Sequence, residues 1–258
     1  MKKVCYVLFA VALAFAFVGC GSIGSNSRST VTYTNAPQMF EHVNLGYNDG
    51  EYGPITITQG VLKNGKTSKN VYVIGLSGTE LIKGQSTGLI TDLLSGFCLD
   101  NSYVRNVVAA INENIPKNSN LVLSGHSLGG MIAQQVAADK SVKDGYNVLN
   151  TLTFGSPLLA AGSREGTTIR LGDTFDAVPY LSGSLFNNTL WAILGLNREN
   201  GGYYKTLDFE GAHCKSYARE DLWGKYDAIG KKNGSAKLIL DMSTLTYYQS
   251  PSGLLEIF

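Results

Sequence analysis

The chain has 258 residues, which is enough for one sizeable hydrophobic core and short of the length at which a second domain is expected. Apolar residues make up 44% of it and charged residues 16%, a balance typical of a globular protein and not of a disordered one. The formal net charge is +1, and neither sign gathers in long runs, so the sequence gives no electrostatic indication of nucleic-acid binding.

The first twenty residues have the pattern of a secretory signal. Two lysines precede an uncharged, mostly apolar run over 4–18, which is short for a membrane span. Gly19 and Cys20 follow, and a small residue directly before Cys resembles the lipobox of bacterial lipoproteins, in which the Cys is lipidated. We therefore expect a signal peptide over 1–19, a lipid anchor on Cys20 and a flexible tether over 20–30. An ordinary signal peptide with Cys20 incidental is the alternative, and both place the protein outside the cytoplasm, in the lipoprotein case anchored to a membrane of the bacterial cell envelope.

From residue 31 to residue 258, strand-like apolar runs alternate with helix-like stretches, which is typical of one α/β domain with a mainly parallel central sheet flanked by helices. The first two strands are expected to form a hairpin that opens the sheet. In chain order, the predicted elements are strands over 55–62 and 71–76 joined by a turn at Asn64-Gly65, a helix over 101–115 stopped by Pro116, a strand over 120–124, a helix over 128–139, strands over 148–154 and 167–171, an irregular stretch over 181–202, a helix over 221–228, and two short terminal strands over 236–241 and 245–248.

A G-x-S-x-G motif lies between a predicted strand and a predicted helix, over Gly125–Gly130. This is the context of a nucleophile elbow, in which the sharp turn requires small residues two positions before and after the Ser. The turn exposes Ser127 Oγ at a helix N-terminus, whose dipole and free N–H groups favour an oxyanion. Ser127 is therefore the predicted nucleophile and Leu128 N–H one oxyanion donor; a glycine-flanked turn without chemistry is the alternative.

The sequence has three histidines as candidate bases. His213 is the one that lies downstream of the Ser, in agreement with the order Ser, Asp, His of α/β-hydrolases. His126 is adjacent to Ser127, so its side chain is expected to point away from the Ser into packing. His42 precedes the predicted sheet and is expected at the surface.

The candidate acids are the aspartates between the Ser and the base: Asp139, Asp144, Asp173, Asp176 and Asp208. The acid is expected just past the end of a strand that follows the nucleophile helix, and two of these follow the predicted strand over 167–171. Asp176 is preferred because Pro179 fixes its loop. Asp173 stays open as an alternative, although it also fits a turn residue that bonds the local backbone.

Several segments together resemble the fungal-type (class 3) lipases of the α/β-hydrolase superfamily, over roughly residues 71–217. They are Val73–Thr79, similar to the strand and oxyanion turn; Gly125–Gly130, the elbow; Thr151–Pro157, the next strand; Asp176–Pro179, the acid loop; and His213–Tyr217, which opens on the catalytic His and closes on a Tyr. The resemblance implies an α/β-hydrolase fold and an esterase or lipase acting through an acyl-enzyme, a mechanism that needs no cofactor. No metal is expected, because no Cys/His cluster in the sequence has the spacing of metal ligands. It also implies that Thr79 N–H is the second oxyanion donor.

Other features leave alternatives open. The stretch Glu80–Thr91 is short and rich in Gly, Lys and Ser, unlike the amphipathic lid of such lipases. The apolar segment Leu181–Leu196 fits an acyl pocket, a membrane-facing cap or an ordinary core helix. Cys98 and Cys214 fit a disulfide or two separate thiols.

The substrate class is an ester or lipid, and the membrane is the expected partner through the anchor. A lipid-anchored binding protein on a hydrolase scaffold and an acyltransferase are the competing functions.

Overall fold

The computed structural model of the chain describes residues 29–49, 51–78, 102–160, 162–181, 193–202 and 210–250. Several predicted features lie outside these ranges: the signal peptide, Cys20, Thr79, the 80–91 stretch, Cys98, Asp208 and most of the 181–196 segment. What the sequence indicates about them stays a prediction.

The described residues contain eight strands and five α-helices. The strands are β1 (Thr30–Tyr33), β2 (Ile55–Asn64), β3 (Thr67–Leu76), β4 (Asn120–His126), β5 (Asn147–Phe154), β6 (Thr167–Asp173), β7 (Leu196–Glu199) and β8 (Lys237–Tyr248). The helices are α1 (Ala36–Asn44), α2 (Ser102–Asn114), α3 (Leu128–Ala138), α4 (Lys140–Gly145) and α5 (Glu220–Trp223), with 3₁₀ turns at Val178–Tyr180 and Ser216–Ala218 and a π-helical turn at Glu210–Lys215.

All eight strands join one sheet in the order β1-β8-β2-β3-β4-β5-β6-β7. Neighbours from β3 to β7 are parallel, and those from β1 to β3 are antiparallel. The protein is therefore mixed α/β with a mostly parallel central sheet, and β2 and β3 form the predicted hairpin. Because parallel strands end at one edge of a sheet, the segments that follow β3, β4, β5 and β6 meet there.

The alternation of side chains along the strands divides the core into two clusters. On β3, Val71 and Val73 belong to one cluster, while Ile74 and Leu76 belong to the other. The first, which we call the aromatic cluster, contains Phe40, Phe154, Tyr217, Trp223 and Tyr226. The second, the aliphatic cluster, contains Val107, Ile111, Leu121, Leu123, Ile132 and Val136. Successive strand residues point to opposite faces, so the two clusters lie on the two sides of the sheet.

Helices α2 and α3 pack into the aliphatic cluster through residues at helical spacing, such as Val107, Ala110 and Ile111 of α2. Helix α1 packs into the aromatic cluster and begins at an N-cap, where the Asn35 side chain accepts from Gln38 N–H at 3.1 Å. Among the helices of the described ranges, none is long and apolar enough to cross a membrane.

Two predictions for the C-terminal part are wrong. The two short strands expected over 236–241 and 245–248 are one strand, β8, whose pairing with β2 shifts register in its middle. The helix expected over 221–228 is the short α5, which ends before Asp227. There the carboxylate of Asp227 accepts backbone N–H groups from Ile229, Lys231 and Ala236, and this local bonding folds the chain into a turn where a helix was expected.

Candidate active site

The turn from β4 into α3 holds Ser127 in a strained backbone conformation. Its φ is 55° and its ψ is −124°, outside the regions that a non-glycine residue readily adopts. A Cβ on Gly125 would lie 2.3 Å from the carbonyl oxygen of Gly129, and one on Gly129 would lie 2.1 Å from that of Leu76. No larger residue fits at either position, which confirms the steric reason for the two glycines.

Two backbone features lie close to Ser127: the N–H group of Leu128 and the turn that follows β3. Helix α3 begins at Leu128, whose N–H therefore belongs to the first turn, where a helix offers no intrahelical acceptor. A Cβ on Gly78 would lie 2.9 Å from Ser127 Cβ, so the turn after β3 runs directly against the Ser. The candidate oxyanion residue Thr79 follows this turn but lies outside the described residues.

The structure brings Asp176 and His213 together. His213 Nδ1 lies 2.9 Å from Asp176 Oδ2, and both side chains are buried. Asp176 lies in the loop after β6, and His213 lies on the π-helical turn; such turns are frequent at functional sites. Since a carboxylate only accepts, Nδ1 carries the proton and Nε2 of the neutral ring is an acceptor.

His213 Nε2 is buried and has no hydrogen-bond partner within the described part of the chain. A hydrogen bond from Ser127 Oγ to His213 Nε2, the contact that a base acting on this Ser would make, is therefore not formed in this structure. Catalytic hydrogen bonds are often long or misaligned without substrate, so the arrangement is compatible with a base that awaits a proton.

The carboxylate of Asp176 is held by three donors. Besides His213, Tyr217 Oη donates to Oδ2 at 2.6 Å, and Val178 N–H donates to Oδ1 at 2.9 Å. Gly155, at a φ of 53°, faces the same carboxylate, because a Cβ there would lie 2.6 Å from Oδ2. The full set of bonds fixes the oxygen that His213 contacts.

The alternative acid, Asp173, does not contact the base. Its Oδ1 accepts from Phe175 N–H at 2.9 Å, the local turn bond that the sequence suggested, and its Oδ2 accepts from Ser216 Oγ. Burial raises the pKa of Asp173. Its backbone N–H donates to Tyr217 Oη at 3.1 Å, so it braces the residue that holds Asp176.

Two further candidate acids have structural roles. Asp139 caps α4, because its side chain accepts from the N–H groups of Ser141 and Val142. Asp144 forms an exposed ion pair with Lys140 one helical turn away. Neither contacts His213 in the structure.

The prediction that His42 is a surface residue is wrong. His42 is fully buried in α1, and neither ring nitrogen has a hydrogen-bond partner among the described residues. Burial lowers its pKa to about 4. The spacing of the apolar residues of α1 places His42 on the inward face of this helix, a signal that its position before the predicted sheet obscured.

His126 is buried and packed as expected, but its surroundings tie it to the site. Its ring lies 4.6 Å from the ring of His213, centroid to centroid, and 5.2 Å from that of Phe40. Burial and the neighbouring imidazole of His213 hold the pKa of His126 well below its usual range.

Arg170 is a buried residue near the site that sequence reasoning missed. Its guanidinium donates to the carbonyl oxygens of Ser156 at 3.1 Å and Pro179 at 3.2 Å, and so ties the segment after β5 to the loop of Asp176. Burial lowers its pKa to about 10. An Arg directly between the apolar residues Ile169 and Leu171 of β6 was the available signal, since a buried charge is rarely present without partners.

The structure also bears on a metal site and on a disulfide. In the ranges described above, no group of three or more His, Cys, Asp or Glu residues is arranged to hold a metal ion. Cys214 is half-buried next to His213, and because Cys98 is outside the described ranges, a disulfide between the two and two separate thiols both remain as alternatives.

Comparisons with known proteins give distant structural similarity only. The sequence matches no protein-family model and no curated protein. The M37 lipase crystal structure aligns with a TM-score of 0.26 and 14% identity over 50% of this chain, which spans only 56% of that lipase. The lipase from Rhizopus microsporus var. chinensis aligns with a TM-score of 0.30 and 12% identity, over 68% of this chain and 82% of that one. Similarity at this level does not assign a function to the protein.

Proposed function

We propose that the protein is a serine hydrolase of the α/β-hydrolase type that cleaves carboxylic esters, with Ser127 as nucleophile, His213 as base and Asp176 as acid. One observation carries the proposal: a buried Asp–His pair has its outer imidazole nitrogen unpartnered within the described residues, and its ring lies 4.6 Å from that of His126, the residue that precedes a Ser held at a strained strand-to-helix turn. Backbone strain of this kind persists where the surrounding structure enforces it, and it clusters at active sites. The function rests on this geometry.

The proposed reaction has two steps that use the same base. In the first, His213 Nε2 takes the Ser127 proton as Oγ attacks the ester carbonyl, and the imidazolium then gives that proton to the leaving alcohol, which leaves an acyl-enzyme. In the second, Nε2 takes a proton from water, the hydroxide attacks the acyl carbon, and the proton returns to Ser127 Oγ. The products are a carboxylic acid and an alcohol.

Three groups stabilise the charges that develop. Leu128 N–H, at the start of α3, and Thr79 N–H are the proposed donors to the tetrahedral oxyanion. Asp176 holds His213 in the tautomer with Nε2 free and stabilises the imidazolium. Because the carboxylate also accepts from Tyr217 and Val178, it cannot turn away from the imidazole.

The proposal includes a location and a substrate class. Lipidation of Cys20 and the tether up to residue 30 would anchor the catalytic domain at a membrane surface after export. An enzyme held there meets lipid esters and external soluble esters alike, so we propose a lipase or esterase, similar in its motifs to the class 3 lipases.

The direct test is hydrolysis of p-nitrophenyl esters from acetate to palmitate by the protein from residue 20 onward. Ser127→Ala and His213→Ala should each lower kcat by about 10³-fold or more. The matched control is Ser163→Ala, which removes the same hydroxyl at an exposed position and should leave turnover unchanged. A wild type that is inert on every chain length, with and without detergent micelles, would favour a binding protein and contradict the proposal.

A further inference from the structure

Three hydrogen bonds connect the backbone of His213 to the turn after β3 through two side chains that the proposed mechanism does not use. His126 Nε2 lies 2.9 Å from the carbonyl oxygen of His213, and His126 Nδ1 lies 2.6 Å from Tyr47 Oη. Gly78 N–H donates to the same Tyr47 oxygen at 2.7 Å. The chain of contacts therefore runs from His213 through His126 and Tyr47 to Gly78.

The direction of each bond follows from the groups at the two ends. A carbonyl oxygen only accepts, so His126 Nε2 must carry a proton and donate it to His213. In a neutral ring, Nδ1 is then an acceptor and takes the Tyr47 hydroxyl proton, while the Tyr47 oxygen accepts from Gly78 N–H. One neutral tautomer of His126 satisfies all three bonds at once, and burial of this ring favours that neutral form.

The two ends of this chain are the two sides of the proposed reaction centre. At one end is His213, the proposed base. At the other is Gly78, whose Cβ position would lie 2.9 Å from Ser127 Cβ and which directly precedes the proposed donor Thr79. A displacement of either end changes the distance between the proton acceptor and the oxyanion donor, and displacements of about 1 Å are costly in catalysis.

The rings that form the connection are themselves fixed by packing. The His126 ring lies edge-on to Phe40 at 5.2 Å and 90°, and Tyr47 lies edge-on to His126 at 5.8 Å. Because neither ring can rotate freely, a displacement at one end of these hydrogen bonds also moves the group at the other end.

We propose that His126 and Tyr47 are positioning residues that hold the oxyanion turn at Gly78 in register with the catalytic base His213. This inference rests on the proposed function and goes beyond it, since neither residue touches the reacting atoms. We call the four-residue connection the His126–Tyr47 relay. It acts on the chemical step, through the alignment of base and oxyanion donor.

The first test removes one hydroxyl. Tyr47→Phe keeps the ring and breaks two of the three bonds, so kcat should fall about tenfold or more while KM stays within about threefold. Affinity for an alkyl boronic acid, which forms a tetrahedral adduct with the Ser, should weaken by a similar factor. The control is Tyr146→Phe, which removes a buried hydroxyl bonded to Ile111 on the other side of the sheet and should leave both quantities unchanged.

The second test separates positioning from packing at His126. His126→Phe keeps an aromatic ring against Phe40 but has no donor for the His213 carbonyl, whereas the amide of His126→Gln can donate to it. The relay predicts that the Gln variant keeps more of the wild-type kcat than the Phe variant. A residue needed only for aromatic packing would give the reverse order.

The outcomes distinguish the relay from the function on which it rests. If the wild type turns over and Tyr47→Phe matches it, or the Phe variant of His126 exceeds the Gln variant, the relay is wrong and the hydrolase proposal stands. If the wild type is inert on all esters and is not labelled by a fluorophosphonate, the proposed function fails and the catalytic role of the relay fails with it. Turnover with the predicted loss of kcat and the predicted order supports both.

Discussion

The two sides of the sheet are built differently. The aliphatic side is covered by α2 and α3, helices of 13 and 11 residues, and its buried residues are mostly Ile, Val, Leu and Ala. The aromatic side is covered by α1 and by short turns, and it holds Phe40, Tyr217, Trp223 and His213. Regular helices supply packing, whereas the irregular side buries polar side chains that need specific partners. The proposed chemistry therefore belongs to the aromatic side, and both sides contribute to stability.

The largest effect is expected from the acid on the aromatic side. Asp176→Asn should lower kcat by roughly 10³- to 10⁴-fold, because an amide in place of the carboxylate favours the wrong tautomer of His213. The matched control is Asp173→Asn, which alters the neighbouring buried carboxyl that bonds Ser216 and not His213. Steady-state kinetics should show less than about a tenfold loss for the control. Equal losses in the two variants would contradict the assignment of the acid.

A pair of core truncations tests whether the two sides differ in function. Ile111→Ala on α2 and Phe40→Ala on α1 should each lower the free energy of unfolding by about 2–5 kcal/mol, measured by urea denaturation. Only Phe40→Ala should also lower kcat, because Phe40 contacts the rings of His126 and Tyr217. If Ile111→Ala lowers kcat in the folded protein as much as Phe40→Ala does, the division between the two sides is wrong.

The buried His42 predicts how stability depends on pH. Burial lowers its pKa to about 4 from an ordinary 6.5, so below pH 6.5 the unfolded chain binds more protons than the folded one. Its contribution to stability is present above pH 6.5 and is lost as the pH falls towards 4. Between pH 7.5 and 4.5, His42→Leu should therefore lose about 2–3 kcal/mol less unfolding free energy than the wild type. His126 is present in both proteins and cancels, so equal losses would exclude His42 as the source.

The smallest effect is expected from the hydroxyl that braces the acid. Tyr217→Phe removes the bond to Asp176 Oδ2, and kcat should fall about five- to tenfold as the carboxylate gains freedom. Tyr226→Phe is the control, since Tyr226 belongs to the same aromatic cluster but its hydroxyl donates to Glu199 and not to Asp176. If Tyr217→Phe and Tyr226→Phe have the same kcat, the Tyr217 hydroxyl does not support the proposed acid and Tyr217 contributes only packing.

Much of the aliphatic side could be predicted from the sequence. The helix expected over 101–115 is α2 at Ser102–Asn114, and the helix expected over 128–139 is α3 at Leu128–Ala138. Both have apolar residues at regular spacing, and α2 ends two residues before Pro116, so local sequence signals determine them. The sharp strand-to-helix turn at Ser127 was predictable for a related reason. Its flanking glycines are needed locally, because no larger side chain fits at those positions.

The aromatic side was harder to predict because its contacts join distant segments. The hydrogen bonds from Tyr47 to His126 and from Tyr217 to Asp176 connect residues 79 and 41 positions apart. A periodic pattern in the sequence cannot predict such long-range contacts. Helix α1, α4, β1, β7 and the π-helical turn were not predicted, since they are short and their stability comes from tertiary packing. The preference for Asp176 over Asp173 also came from a local feature, the loop fixed by Pro179; Asp176 is the aspartate that contacts His213, and its role as the acid stays a prediction.

The central claim is that Ser127 is a nucleophile activated by His213, and covalent labelling tests it most directly. After treatment with a fluorophosphonate, mass spectrometry should find a single phosphonyl adduct per chain, on the peptide that contains Ser127, and His213→Ala should slow labelling by about 10³-fold. An adduct on another Ser, or labelling of Ser127 at the same rate without His213, would contradict the account.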